Sequence, residues 1–137
     1  MKNNNKNENL REKLKQALTS TIKVISDDFN LNDKLEKGKN TKNFDFLNLE
    51  NIVSKNDFVK ARAESDSLAL KKKFSDDKVY KRNLPSNSSC KSLYSIAEKI
   101  RYESLGFKML KGIEKNIKDN YNQIIKLKKI DQLKTKE

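Results

Sequence analysis

The sequence predicts an all-α fold of about four amphipathic helices, and three observations carry that reading. Apolar residues recur at helical spacing in four separate stretches. Only one short segment, Phe44-Asp45-Phe46-Leu47-Asn48-Leu49, alternates as a strand would. No Gly/Ser-rich or Pro-rich linker divides the 137 residues, so one domain is expected.

Residues 1–8 are polar and without pattern, and read as a disordered N-terminus. From there Leu10, Leu14, Leu18, Ile22 and Ile25 fall on one face, which predicts a first helix over about 9–27. Periodicity then fails over about 28–55, where Asn30, Asn32, Gly38, Asn40 and Asn43 mark turns in one long loop. Ser54 followed by Asp57 reads as a helix cap with an acid in the first turn, and opens a second helix over about 56–74. Its face is Phe58, Ala61, Ser65, Leu68 and Ala69.

Asp76 to Asn83 has room for a turn or two more before Pro85, which lacks an N–H and disfavours helix at Leu84. Ser88 or Ser89 is placed to cap a third helix over about 89–105, with Leu93, Ala97, Ile100 and Ser104 on its face. Gly106 suits a left-handed C-terminal cap for that helix. Leu110, Ile113, Ile117, Tyr121 and Ile124 continue the pattern into a fourth helix. It frays into a basic flexible tail, 126–137, leaving 9–125 as the helical domain.

Charged residues (36%) slightly outnumber hydrophobic ones (34%), which implies a thin core. The net charge of +12 would draw the chain toward a polyanion or an acidic protein. Of the 31 basic residues 27 are Lys, Asn is abundant, and His and Trp are absent, a skew that AT-rich coding alone produces. Nucleic-acid binders prefer the planar guanidinium or interleave cations with aromatic platforms, and neither pattern occurs, so nucleic acid is disfavoured as a partner. The four arginines, Arg11, Arg62, Arg82 and Arg101, therefore carry more weight than any lysine.

Cys90 stands alone, which rules out an intrachain disulfide, suits a reducing compartment, and reads as a small half-buried residue. No run approaches the ~18 apolar residues that span a bilayer, and Met1 to Lys6 lead into no signal-peptide core. A cytoplasmic chain without membrane contact is expected.

Gly38, Gly106 and Gly112 match no phosphate-cradling loop, and one Cys without His offers no soft-metal cluster. No cofactor or metal is expected on this chain. Asp27-Asp28, Asp76-Asp77 and Glu98 with Glu103 are acids that solvent normally screens, unless walls perturb them. Glu98 and Arg101, three apart, can pair along a helix, while Glu103 projects from another side. A sharper alternative has Arg101 partly buried and holding Asp66 of the second helix.

Read in order, the chain shows Leu10-Arg11-Glu12-Lys13-Leu14-Lys15-Gln16-Ala17, Arg62-Ala63-Glu64-Ser65-Asp66-Ser67-Leu68-Ala69-Leu70, and Asp76 to Pro85. Glu98-x-x-Arg101-x-Glu103-x-Leu105-Gly106 and Gly112-Ile113-x-x-Asn116-Ile117 follow. This succession resembles the N-terminal helical region of the CobT family, the T subunit of aerobic cobaltochelatase, over nearly the whole chain. The resemblance implies a subunit of the ATP-dependent complex that inserts cobalt into hydrogenobyrinic acid a,c-diamide in aerobic cobalamin synthesis. It implies as partners an AAA+ motor subunit (CobS-like) and a large chelatase subunit (CobN-like), in a hetero-oligomer to which ATP, Mg and cobalt belong.

Family members continue into a von Willebrand factor A-like domain whose Asp-x-Ser-x-Ser motif binds a divalent metal. No such motif stands in this sequence, which suggests a fragment, a split gene product or a degenerate copy. Where the family favours His near positions 76 and 80, this chain has Ser75 and Tyr80, so no role resting on those imidazoles carries over. Arg62, Asp66, Glu98, Arg101, Glu103, Gly106, Gly112 and Asn116 are the candidate structural or subunit-interface residues, with none expected to be catalytic. The alternatives are a basic helical protein that binds nucleic acid or ribosomes, a magnesium rather than cobalt chelatase part, and a helical protein whose ancestral role has lapsed.

Overall fold

The computed structural model describes residues 2–30 and 52–134. Among them the chain forms five helices and no strand: α1 (Lys2–Ser26), α2 (Lys55–Phe74), α3 (Asp77–Arg82), α4 (Ser88–Met109) and α5 (Lys111–Lys134). The all-α expectation holds. Most of the expected long loop, with the alternating segment Phe44 to Leu49, lies outside the described residues.

Two helices are longer than the apolar pattern marked. α1 begins at Lys2 and α5 runs to Lys134. Neither extension contains Gly or Pro, so nothing in it stops a helix, and with few apolar residues a periodicity argument had little to register there. α1 ends where Asp27 takes the left-handed conformation (φ 56), which a short acidic side chain tolerates. Lys73 Nζ then pairs with Asp27 Oδ2 at 2.6 Å and Lys72 with Asp28 at 3.5 Å, tying this corner to the end of α2.

The start of α2 is a reciprocal cap, as Ser54 and Asp57 predicted. Asp57 N–H donates to Ser54 Oγ (3.2 Å), and Ser54 N–H donates to Asp57 Oδ2 (2.8 Å). The Ser54 hydroxyl also donates to Asp57 Oδ2 (2.8 Å), and that bond, followed by the backbone N–H groups of Ser54 and Val53, holds the Asp57 carboxyl below its ordinary range. Asp76 caps α3 by accepting from Lys78 and Val79 N–H. α4 is capped by Asn87, not by Ser88 or Ser89. The Asn87 Oδ1 reaches the N–H groups of Ser89 and Cys90, so the two serines become the first helical residues. Cys90 in that first turn is exposed rather than half-buried.

α2 is the middle of the fold, packing against α1, α4 and α5, while α4 and α5 also pack on each other. It therefore buries more than the single face expected: Ala61, Ala63, Ser65, Asp66, Ala69 and Leu70 are all inside. Small side chains on several sides let three helices approach one. The core is completed by Leu18, Ile22 and Ile25 of α1, Tyr102 of α4, and Ile113 and Ile117 of α5. Ile22, Leu70 and Ile117 are the largest fully buried side chains. At ~1.5–3 kcal/mol for burying each such residue, these three anchor a core as thin as the composition suggested.

The third helix of the sequence reading needs two corrections. Gly106 does not cap it. α4 passes through Gly106 to Met109, and the chain turns instead at Leu110, whose carbonyl accepts from Ile113 and Glu114 N–H at the start of α5. The inward face is Tyr102, Glu103 and Gly106, whereas Leu93, Ala97, Ile100 and Ser104 point outward. The glycine faces Leu70, and that close approach fixes which side of α4 is inside.

Candidate functional site

Where α2, α4 and α5 meet, the fold buries carboxylates. Glu103 is only 3% exposed, and it is held from two other helices. Ser67 Oγ of α2 donates to its Oε1 at 2.6 Å, and the Tyr121 hydroxyl of α5 donates to its Oε2 at 2.8 Å. Lys99, one turn earlier on α4, places Nζ 3.8 Å from Glu103 Oε1 and 5.5 Å from the Tyr121 ring centroid. Each hydrogen bond to the charged carboxylate offsets part of its desolvation. Burial, and then the neighbouring Glu103 carboxylate that accepts its hydrogen bond, push the Tyr121 phenol well above its ordinary range.

A second buried acid, Asp66 of α2, is also 3% exposed and accepts one hydrogen bond, from Asn116 Nδ2 of α5 at 2.7 Å. Burial raises its pKa, and the Asn116 bond and the charge of Arg62 only partly oppose that. Arg62 itself is exposed.

On the other flank of α4, Arg101 donates from Nε to Glu98 Oε2 (2.7 Å) and from Nη2 to Glu98 Oε1 (2.8 Å) and the Phe74 carbonyl (2.6 Å). Ser75 Oγ donates to Glu98 Oε1 at 2.6 Å. The Arg101 guanidinium, opposing some desolvation and helped by Ser75, lowers the Glu98 pKa to about 2. This network closes the exposed C-terminus of α2, since the guanidinium satisfies one of its last carbonyls. It borders an open groove of about 560 Å³ lined by Phe74, Val79, Tyr80, Tyr94 and Ala97, in which the two tyrosine rings lie 5.2 Å apart.

The candidates of the sequence reading thus separate. Asp66 and Asn116 come together, and Glu98 pairs with Arg101 along α4. Arg101 does not reach Asp66. It is about half exposed (47%) on the flank of α4 away from Glu103, where Glu98 satisfies it locally. Glu103 does project from a different side than Arg101. Gly106 is a packing point, while a Cβ at Gly112 would meet nothing within 4 Å. Ser67, Ser75 and Tyr121 were missed as partners. Hydroxyl residues carry no positional signal, and Tyr121 stood in the sequence only as one member of an apolar stripe.

Among the described residues no group of three or more His, Cys, Asp or Glu could hold a metal ion, and no helix is long and apolar enough to cross a membrane. No buried side-chain polar atom there lacks a hydrogen-bond partner. These features define an all-α module whose buried acids join helices to one another. The chain belongs to the CobT family: the family model described as cobalamin biosynthesis protein CobT matches residues 8–137. No curated protein and no solved structure matches the chain.

Proposed function

We propose that this protein is a non-catalytic subunit of ATP-dependent cobaltochelatase, which assembles with an AAA+ motor to support cobalt insertion into hydrogenobyrinic acid a,c-diamide in aerobic cobalamin biosynthesis. The observation that carries this is the family match across residues 8–137. The geometry is compatible with a coupling role. Asp66, Glu98 and Glu103 are each held by neighbouring side chains, so they act in this reading as struts of a rigid module and not as acids and bases toward a substrate. ATP, magnesium and cobalt belong to the complex, with the motor and the large subunit binding them, and the assembly works in the cytoplasm.

Co-purification of the full chain with the motor and large chelatase subunits, with and without ATP, tests the proposal. A stable complex is expected. Absence of any complex under both conditions would sink it. Binding to nucleic acid is the less favoured reading, because lysines of α5 are engaged locally: Lys111 and Lys118 with Glu114, and Lys115 with Asp119. Salt-sensitive retention on DNA or RNA would be its signature.

A further inference from the structure

We propose that the Glu103 carboxylate, in the wall of a small pocket between α2, α4 and α5, is a receptor for a guanidinium group: an arginine side chain of a partner protein that takes the place of Lys99. The site is independent of the chelatase assignment.

The pocket holds about 250 Å³. That is below the roughly 300–1,000 Å³ of pockets that enclose a whole small molecule, and it suits a single side chain. Glu103 is buried yet forms part of the wall, with Ser67, Lys99 and Tyr121 beside it. A carboxylate offers about four lone-pair sites. Two are used here, by the Ser67 hydroxyl on Oε1 (2.6 Å) and the Tyr121 hydroxyl on Oε2 (2.8 Å). Both donors are neutral, so they orient the carboxylate and leave its charge to be met by a cation. A cationic donor that also makes the hydrogen bond is roughly twice as strong as a neutral one.

Lys99 shows which chemistry the pocket accepts. Its ammonium lies over the Tyr121 ring, 5.5 Å from the centroid, as a cation–π contact requires. From there it stands 3.8 Å from Glu103 Oε1, beyond hydrogen-bond range, and its side chain is 47% exposed. Lys99 thus compensates the buried charge from a distance, on a flexible stem that can return to water. A planar guanidinium can stack on the same ring and still aim an N–H at the carboxylate, because its donors are spread over a rigid fork. The mouth is balanced, with Glu64 and Lys71 both lining it, so the buried carboxylate sets the preference. A second copy of this chain would bring its arginines with a charge of +12, and the two bodies repel. A partner that is acidic around the contact brings the guanidinium without that repulsion.

The test uses the full chain and the end-blocked peptide Gly-Gly-Arg-Gly-Gly, compared with the same peptide carrying citrulline, the uncharged isostere, in place of arginine. NMR titration should show millimolar binding of the arginine peptide, with shifts centred on Ser67, Glu103 and Tyr121. The citrulline peptide should bind at least about tenfold more weakly, the difference expected of a hydrogen bond between charged groups. Lys99→Met keeps an unbranched stem and removes the resident charge. It should bind the arginine peptide about threefold or more tighter than wild type, because the pocket is then open in every molecule. Glu103→Gln should lose the preference for arginine over citrulline. Equal affinity for the two peptides, no binding to wild type, or an unchanged affinity in Lys99→Met would overturn the proposal. So would shifts centred elsewhere, or self-association of the free chain that Glu103→Gln abolishes. If circular dichroism shows that Glu103→Gln does not fold, the two peptides on wild type and Lys99→Met still decide.

Discussion

Leu70 of α2 fills the space that any side chain at Gly106 of α4 would need. A Cβ there would stand 2.9 Å from the Leu70 Cγ and closer still to both δ-methyls. Leu70 is fully buried and has no solvent to swing into. Gly106→Ala therefore forces the helices apart, an overpacking cost of about 1–3 kcal/mol, opposed by the roughly 1 kcal/mol that alanine gains in a helix. Urea unfolding should show a net loss. Gly112→Ala, in open space near the start of α5, should give a gain of ~0.5–1 kcal/mol. The same sign at both positions would contradict the contact.

Tyr121→Phe should destabilise the protein by about 1 kcal/mol, the low end for orphaning a charged acceptor, because Tyr121 is partly exposed and water can replace its hydroxyl. Its phenol is raised in the fold by burial and then by Glu103. The fold favours the protonated phenol, so the stability this group contributes is complete below its unfolded value of ~10 and is lost as pH rises toward the folded value. Ultraviolet titration of the native protein should contain a late-ionising tyrosine that disappears in Tyr121→Phe.

Arg101→Ala should cost less than about 1 kcal/mol, since the side chain is half exposed and its ion pair is screened. The clearer effect is on Glu98, whose pKa of about 2 owes most to Arg101. A depressed acid stabilises the fold above its unfolded value of ~4.3, and that contribution is lost as pH falls through about 2. Carboxyl titration by NMR should move Glu98 back toward the ordinary range in the variant. A Glu98 titration that does not move would remove Arg101 as the cause.

Asp66 has the opposite sign. Burial raises its folded pKa, so its contribution is most favourable below the unfolded value of ~3.9 and declines as pH rises through the folded one. Asp66→Asn keeps an acceptor for Asn116 without burying a charge. It is expected to be neutral or to stabilise by up to about 1 kcal/mol at pH 7. The gain over wild type should shrink as pH falls through the raised folded value toward the unfolded one, and a variant less stable than wild type throughout that titration would show that the charge itself is needed.

The parts of this fold that were legible in the sequence are those written locally. The Ser54–Asp57 cap and the stripe of Leu18, Ile22 and Ile25 depend on residues within a few turns, and both read correctly. α4 was misread because the rule that the most aliphatic face goes inside assumes no competing partner. Here Glu103 goes inside, supported by Ser67, 36 residues away, and Tyr121, 18 residues away. No pattern within one helix shows that. Leu10 illustrates a lesser miss: it continues the α1 stripe but is 57% exposed. Of the two partners the sequence leaves open for Arg101, Glu98 three residues earlier on its own helix and Asp66 on α2, the local one is taken. The Asp66–Asn116 pair bridges two motifs whose family resemblance marked them separately.

α1 meets the remaining described helices chiefly through α2, whereas α4 and α5 hold each other as well. Mechanically this makes α2 a shaft between a single lever arm and a braced pair. A pull or twist on α1, whatever applies it, reaches the Glu103 and Asp66 struts mainly by turning α2. The ion pairs of Lys72 with Asp28 and Lys73 with Asp27 sit at the joint where that torque would first be felt.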